Sequence, residues 1–235
     1  MNVLIVGGSG GIGLQLANAL CARPDVDNVV ATYRRIAPAN ASAAIDWQQL
    51  DVTDHDQLAG CWPADKPLDY LIYAVGLLHD GDAGPEKTVR RIDPTLFSRS
   101  MQINALPVLL LAQSLHKAFK LSDAPRLAAV SARVGSIEEN RSGGWYSYRC
   151  SKAALNMALK TLALEWRMAM PKGTVAALHP GTTDTALSRP FQANVPAEKL
   201  FTSAQTATYL LAVIDQLTPD NSGRFWSWDG TELPW

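Results

Sequence analysis

Short apolar runs alternate along the chain with longer amphipathic stretches. A short continuous apolar run bounded by glycine or polar residues is typical of a parallel strand that is buried on both faces. The first such run, from Val3 to Val6, stops at Gly7 and predicts the first strand. The predicted strands cover residues 3–6, 29–33, 45–50, 68–75, 126–131, 174–178 and 224–227.

Apolar residues at helical spacing follow most of these strands. Ile12, Leu16 and Leu20 predict a first helix from residue 11 to about residue 22. Pro107 is a candidate bend in a long helix, because proline lacks a backbone donor. Strand and helix alternate through the chain, which predicts one domain with a doubly wound parallel sheet. Residues 77–88 are a predicted loop, and the remaining predicted helices cover residues 54–61, 94–121, 146–170 and 204–217.

A glycine-rich turn lies directly between the first predicted strand and the first predicted helix. Gly7, Gly11 and Gly13 leave room for a pyrophosphate to approach the backbone, and the helix N-terminus supplies free N–H groups. The turn therefore predicts a dinucleotide site that includes Ser9 and Ile12. A flexible glycine turn without a ligand is the alternative, and the strand-turn-helix context argues against it.

The end of the second predicted strand indicates which dinucleotide is bound. An acidic residue at this point would bind the ribose 2′-hydroxyl of NAD, but the segment ends in Arg34 and Arg35. A guanidinium matches a 2′-phosphate in charge and in the arrangement of its donors. We therefore expect a preference for NADP, with NAD as the other candidate cofactor. The alternative is that both arginines are solvated loop charges.

Tyr148 and Lys152 lie on one face at the start of the long predicted helix that follows the fifth strand. The pKa of a free phenol is about 10, and a nearby cation favours the phenolate. Tyr148 is therefore a candidate acid/base that protonates a carbonyl oxygen during hydride transfer. The spacing alone is a weak signal, so the position of the helix carries the inference.

Composition excludes several other classes of function. The formal net charge of −1 provides no long-range field for nucleic acid or an anionic membrane, so we expect neither partner. Three widely spaced cysteines suit a reducing compartment, and we expect a cytoplasmic protein. The four histidines lack metal-ligand spacing, which predicts no metal site. The longest apolar stretch, residues 105–112, is too short to span a bilayer.

The order of these motifs resembles the short-chain dehydrogenase/reductase family across nearly the whole chain. The glycine turn, Asp51 with Val52, Asn104, the Tyr148 and Lys152 pair, and Pro180-Gly181 followed by Thr185 all occur in the family's order. Segments beginning at Ser131, at Gly143 and at Trp228 are similar to the C-factor-like and sniffer-type carbonyl reductase branch.

The resemblance implies roles for these residues. Tyr148 would be the acid/base, and Lys152 would lower its pKa and hold the nicotinamide ribose. Asn104 would order a proton-relay water, and Thr185 would lie near the carboxamide. Asp51 and Val52 would contact adenine. The expected cofactor-binding residues are Gly7, Ser9, Gly11, Ile12, Gly13, Arg34, Arg35, Asp51, Val52, Ala74, Gly76, Tyr148, Lys152, Pro180, Gly181, Thr183 and Thr185.

The sequence departs from the family pattern in three places. Val6 replaces a threonine before the glycines, and residues 73–76 replace Asn-Asn-Ala-Gly, so the bracing of these loops must differ. Ala132 stands where the family has its catalytic serine. Ser131 is the first candidate substitute, although strand alternation could turn it away. Ser136 is the second candidate, and either serine could instead be a capping or turn hydroxyl.

We therefore expect an oxidoreductase that moves a hydride between a nicotinamide and a small carbonyl or alcohol substrate. The alternative, motivated by Ala132 and the C-factor resemblance, is a cofactor-binding signalling or regulatory protein with little turnover. Residues 184–201 suit a lid over the nicotinamide, or else an ordinary surface loop. The resemblance also implies a homodimer or homotetramer.

Overall fold

The computed structural model describes residues 1–39, 41–79 and 84–235, so residues 80–83 of the predicted 77–88 loop lie outside it. An eight-stranded sheet forms the centre of the described chain. A separate small sheet pairs β7 (Thr182–Thr183) with β8 (Leu200–Phe201) in parallel. The strands of the central sheet are β1 (Asn2–Val6), β2 (Asn28–Tyr33), β3 (Ile45–Gln49), β4 (Tyr70–Tyr73), β5 (Arg126–Val130), β6 (Thr174–His179), β9 (Arg224–Ser227) and β10 (Glu232–Leu233).

The strand order of the central sheet is β10-β9-β6-β5-β4-β1-β2-β3. Each neighbouring pair is parallel except β9 and β10. The direction of winding reverses between β1 and β4, which opens a crevice at the carboxyl ends of these two strands. This order confirms the predicted doubly wound parallel sheet. The two-residue strands β7, β8 and β10 were not predicted, because so short a segment has no measurable periodicity.

Strand side chains alternate between the two faces of the sheet, so apolar side chains lie on both faces. Helices therefore cover both faces. Val3 and Ile5 of β1 pack with Leu16 and Leu210, which lie on two helices of one face. Leu4 and Val6 face the opposite cluster, which includes residues of two other helices. No helix in the described ranges combines the length and apolar character needed to cross a membrane. The helices are α1 (Gly11–Cys21), α2 (His55–Ala59), α3 (Pro94–Asn104), α4 (Leu106–Ser114), α5 (His116–Lys120), α6 (Tyr146–Ala169) and α7 (Ser203–Asp215).

The predicted helix over residues 94–121 is divided into α3, α4 and α5, so the expectation of one helix bent at Pro107 was wrong. The first break is at Ala105, where φ is −121° and ψ is −56°. Pro107 has no N–H to donate to the carbonyl of Ile103, four residues earlier. The buried hydroxyl of Tyr73 on β4 donates to this carbonyl instead, at 2.5 Å. A strand side chain therefore satisfies the acceptor that the proline leaves free.

Tyr73→Phe is expected to destabilise the protein by about 1–3 kcal/mol, because it leaves the Ile103 carbonyl buried without a donor. The side chain of Tyr73 is completely buried, so water has no access to replace the hydroxyl. Urea unfolding followed by circular dichroism measures the change. Tyr209→Phe is the matched control, since the Tyr209 ring packs against Phe201 and its hydroxyl makes no hydrogen bond within the described chain. An equal effect of both substitutions would contradict this account.

Candidate active site

The glycine turn after β1 is braced by a residue of β2. The N–H of Gly7 donates to the hydroxyl of Thr32 at 3.0 Å, and the N–H of Ser9 donates to the carbonyl of Thr32 at 3.2 Å. Gly7 has a φ of +89°, a left-handed conformation that favours glycine. Thr32 is buried, and its hydroxyl supplies bracing that Val6 cannot provide.

Helix α1 begins directly against this turn. A Cβ on Gly13 would lie 2.2 Å from the carbonyl oxygen of Gly7, so only glycine permits this packing. The residue before the helix, Gly10, has no side chain to accept hydrogen bonds from the first turn. The first N–H groups of α1 and the positive end of its dipole can therefore bind the phosphates of a dinucleotide.

A cavity of about 500 Å³ extends from the glycine turn across the crevice between β1 and β4. Its size is within the range of small-molecule and cofactor sites. The structure brings together in its lining ten residues expected from the sequence: Gly7, Ser9, Gly11, Ile12, Arg34, Asp51, Val52, Ala74, Gly76 and Thr185. Sequence reasoning missed eight other lining residues: Gly10, Thr32, Leu50, Val75, Leu77, Ile103, Ala186 and Leu187.

One end of the cavity is charged. Arg34, just after β2, lines this end together with Asp51, whereas Arg35 is not part of the lining. The Asp51 carboxylate accepts the N–H of Thr53 at 3.0 Å and its hydroxyl at 2.8 Å. These hydrogen bonds, together with the charge of Arg34, lower the pKa of Asp51. This end of the cavity therefore offers the Arg34 guanidinium to an anionic group.

The other end of the cavity brings three predicted site residues together at Gly76. A Cβ on Gly76 would lie 3.8 Å from Lys152 Nζ and 3.9 Å from Asn104 Oδ1. The amide of Asn104 accepts the N–H of Leu77 at 2.7 Å and donates to the Leu77 carbonyl at 2.9 Å. It also donates to Ser151 of α6 at 2.9 Å. Asn104 thus connects the loop after β4 to the helix that carries Tyr148.

Tyr148 and Lys152 are both buried on α6, with Lys152 Nζ 5.8 Å from the centre of the phenol ring. The ammonium donates to the carbonyl of Val130 at 2.8 Å. Burial lowers the pKa of Lys152 to about 7 and raises the pKa of Tyr148. Burial thus shifts the pKa of Tyr148 in the direction opposite to the lowering that the family resemblance implies, because desolvation disfavours the phenolate. Tyr148 remains a neutral phenol that can donate a proton.

Neither candidate serine contributes its hydroxyl to the cavity lining. Ser131 donates to Asn156 Oδ1 of α6 at 2.6 Å, and both residues are buried. The hydroxyl of Ser136 accepts the N–H of Glu139 at 3.1 Å. Ser131 therefore supports the packing of β5 against α6 in this structure, and Ser136 acts as a turn hydroxyl. Ala132, between them, has no polar side-chain group to offer a substrate oxygen.

Seven residues expected at the cofactor lie outside the cavity lining: Gly13, Arg35, Tyr148, Lys152, Pro180, Gly181 and Thr183. Gly181 has a φ of +73°, and a Cβ there would lie 2.6 Å from the ring of Phe201. The hydroxyls of Thr183 and Thr206 are hydrogen-bonded at 2.8 Å. These contacts anchor the two ends of the 184–201 segment, whose residues Thr185, Ala186 and Leu187 reach the cavity.

A buried carboxylate, which sequence reasoning missed, holds the start of α6. Glu86 accepts the N–H of Ser147 at 3.1 Å on Oε2 and the Ser147 hydroxyl on Oε1. Its backbone carbonyl accepts the N–H of Trp145 at 2.5 Å. A carboxylate is favourable at a helix N-terminus, where the dipole is positive. Glu86 is in a polar loop far from α6 in sequence, so periodicity could not indicate this contact.

Comparison with curated proteins identifies relatives across most or all of the chain. The chain is 36% identical over 170 residues to the C-signal of Myxococcus xanthus, which covers 72% of this chain and 93% of that protein. It is 32% identical to a 1-hydroxy-2-glutathionyl-2-methyl-3-butene dehydrogenase from Rhodococcus sp. (strain AD45), covering 99% of both proteins.

Solved structures share the complete fold. The carbonyl reductase Sniffer of D. melanogaster superposes with a TM-score of 0.83 at 22% identity, covering 100% of this chain and 99% of that one. An NADPH-bound carbonyl reductase from chicken fatty liver gives a TM-score of 0.85 at 24% identity, with coverage of 100% and 98%. These likenesses concern the fold.

Residues 1–196 match the sequence model of the short chain dehydrogenase family. The match includes the glycine turn, which lines the cavity, and also Asn104 and Lys152, which lie beside Gly76. It includes Tyr148 as well, whose ring centre lies 5.8 Å from Lys152 Nζ. The predicted resemblance to this family, with C-factor and sniffer-type relatives, is thereby confirmed. The chain belongs to the short-chain dehydrogenase/reductase family and is an NAD(P)-dependent oxidoreductase.

Proposed function

We propose that this chain is an NADPH-preferring carbonyl reductase. The observation that carries the proposal is the single cavity that has Arg34 at one end and Gly76, beside Lys152 Nζ and Asn104, at the other. This arrangement suits a dinucleotide with a 2′-phosphate at the arginine and its nicotinamide near Tyr148. Two proteins of similar structure give independent support: the carbonyl reductase from chicken fatty liver is bound to NADPH, and a short-chain dehydrogenase/reductase from Burkholderia multivorans is bound to NADP.

The residues of the cavity fit such a cofactor. The glycine turn and the N-terminus of α1 would hold the pyrophosphate, because both present backbone N–H groups without competing side chains. Arg34 would bind the 2′-phosphate, with Arg35 as a second cation nearby in the chain. Asp51 and Val52 would border the adenine, and Thr185 would cover the nicotinamide end.

When bound, the reduced nicotinamide would supply a hydride to the carbonyl carbon of the substrate. Tyr148 would donate its phenolic proton to the carbonyl oxygen, so the product is an alcohol and the side chain becomes a phenolate. Lys152, when charged, would stabilise that phenolate and bind the nicotinamide ribose. Asn104 would order the water that returns a proton to Tyr148. In our assignment, Ser131 supports α6 and does not contact the substrate.

Arg34→Ala is expected to weaken NADPH binding about 10-fold to 100-fold and to leave NADH binding almost unchanged. A charged hydrogen bond to phosphate contributes about 1.5–3 kcal/mol, and only NADPH carries the 2′-phosphate. Fluorescence titration of each nucleotide measures the two dissociation constants. Arg35→Ala is the matched control, because Arg35 does not line the cavity, and it should have the smaller effect. Equal losses for NADPH and NADH on Arg34→Ala would contradict the assignment.

A cofactor-binding signalling or regulatory protein with little turnover is the second candidate function. Ala132 and the internal hydrogen bonds of Ser131 and Ser136 favour it, because no serine hydroxyl in this group is free for a substrate oxygen. Similarity to a protein named C-signal also supports it. Tight NADPH binding without NADPH oxidation by any of a broad panel of carbonyl compounds would favour this function over reduction.

We propose in addition that residues 184–201 act as a lid and that the chain forms a homodimer or homotetramer. The lid proposal rests on Leu187, whose side chain lies 3.8 Å from the Cβ position of Gly76. The assembly proposal rests on exposed apolar residues along α6, where Met157 and Met168 are 66% and 88% exposed.

The free cysteines of the described chain fit the reducing cytoplasm, where we place the protein.

A further inference from the structure

Aromatic rings from three separate loops form a chain of contacts that ends at Tyr148. The ring of Trp145 lies edge-on to Tyr148 with centroids 6.3 Å apart, and Phe191 packs against Trp145 at 5.1 Å. His79, from the loop after β4, lies 6.1 Å from Phe191. We refer to His79, Trp145 and Phe191 as the ring cluster. Trp145 borders the proposed proton donor, and none of the three residues belongs to the lining of the cavity that runs from the glycine turn to Gly76.

The backbone at Trp145 is held in an unfavourable conformation. Its φ is +55°, and no other non-glycine residue that the structure describes has a positive φ. A bulky residue in the left-handed region carries strain, and such strain is concentrated at functional sites. Gly143 and Gly144 before it are also left-handed, and Glu86 accepts its N–H. The surrounding structure therefore stabilises a costly conformation that turns the indole towards Tyr148.

The ring cluster differs from ordinary core packing. Each of its three residues is partly exposed, and none belongs to either hydrophobic core cluster. The Nε2 atom of His79 is buried and has no hydrogen-bond partner among the described residues. A buried nitrogen without a partner is unfavourable in a packed core, and it is more easily explained beside a site that a ligand enters. Phe191 belongs to the same segment as Leu187, which reaches the cavity.

We infer that the ring cluster is the substrate-recognition surface and that it selects carbonyl compounds with a planar aromatic ring. The ring of the substrate would pack against Trp145, which places its carbonyl oxygen at the hydroxyl of Tyr148. The inference rests on the proposed function, because it assumes that a carbonyl compound binds beside Tyr148. It adds a class of substrate and the residue that recognises it.

A matched pair of ketones separates aromatic recognition from simple burial of apolar surface. Acetophenone and cyclohexyl methyl ketone have the same carbonyl group and similar size. The saturated ring is the more apolar, so burial alone predicts tighter binding of the cyclohexyl compound. Contacts between aromatic rings add to burial and predict the opposite order. The order of the two dissociation constants therefore tests the inference directly.

The experiment titrates each ketone into the complex of the wild-type protein with NADP⁺, which cannot reduce the ketone. Calorimetry measures the dissociation constants. We expect acetophenone to bind about threefold to tenfold more tightly. Trp145→Leu keeps apolar bulk without the ring and should remove or reverse the difference. Tyr146→Leu removes a neighbouring ring on the outer face of α6 and should leave it unchanged.

Equal or tighter binding of the cyclohexyl ketone to the wild-type complex would overturn the inference. An unchanged preference in Trp145→Leu would also overturn it. A separate titration of NADP⁺ into the same protein tests the proposed function. Failure to bind NADP⁺ would reject both proposals, whereas NADP⁺ binding with the wrong ketone order rejects only the ring-cluster inference.

Discussion

Tyr148→Phe is expected to lower kcat for carbonyl reduction about 100-fold to 10,000-fold, while the protein still binds NADPH with nearly wild-type affinity. General acid catalysis by a positioned side chain contributes a factor of this size. The substitution removes the hydroxyl and keeps the ring, which is 8% exposed and packs against Trp145. The loss should therefore concern chemistry and leave the fold and the cofactor site intact.

Steady-state kinetics and NADPH fluorescence titration on the same preparation separate these two effects. Tyr146→Phe is the matched control, because it removes a hydroxyl from the same helix on its exposed face, and it should retain full activity. Wild-type turnover by Tyr148→Phe would show that another group protonates the substrate. If Tyr148→Phe lost both NADPH binding and turnover, the result would instead assign Tyr148 a structural role.

Gly13→Ala is expected to destabilise the protein by about 3 kcal/mol, which corresponds to a fall in Tm of roughly 6–12 °C for a chain of this size. The added Cβ would lie 2.2 Å from the carbonyl oxygen of Gly7 and 2.9 Å from its carbonyl carbon. Both contacts are to backbone, so α1 or the glycine turn must move. Either movement displaces the N–H groups proposed to bind phosphate, and NADPH affinity should fall at least about 10-fold.

Differential scanning fluorimetry with and without NADPH measures both consequences. Gly60→Ala is the matched control, because the φ of Gly60 is −97° and its added Cβ would meet its nearest neighbour at 3.7 Å. We expect that variant to be unchanged or up to about 1 kcal/mol more stable, with normal NADPH binding. A Gly13→Ala protein with wild-type Tm and affinity would show that the packing of α1 on the turn tolerates a side chain.

Local patterns in the sequence determined the framework of this protein. Apolar runs predicted most of the parallel strands of the central sheet, because a strand buried on both faces admits few polar residues. The glycines after β1 predicted the tight turn that precedes α1, since close approach of backbone to backbone excludes a Cβ at Gly13. The spacing of Tyr148 and Lys152 predicted a shared helix face. Each of these features depends on residues within a few positions of one another.

Contacts between distant segments decided where the predicted 94–121 helix breaks, which partner Ser131 meets and which arginine lines the cavity. The break in the predicted 94–121 helix needs a donor for Ile103, which Tyr73 supplies from another strand. The partner of the Ser131 hydroxyl is Asn156 on α6. Adjacent arginines look equivalent in a sequence, but only Arg34 lines the cavity.

The start of α6 shows the same dependence on distant residues, since Trp145 takes its left-handed conformation against the carbonyl of Glu86. The sequence alone determined which chemical groups this protein has and where in the chain they lie. Only the tertiary structure decided which partner each group meets, because the direction of a side chain depends on packing between elements far apart in the chain.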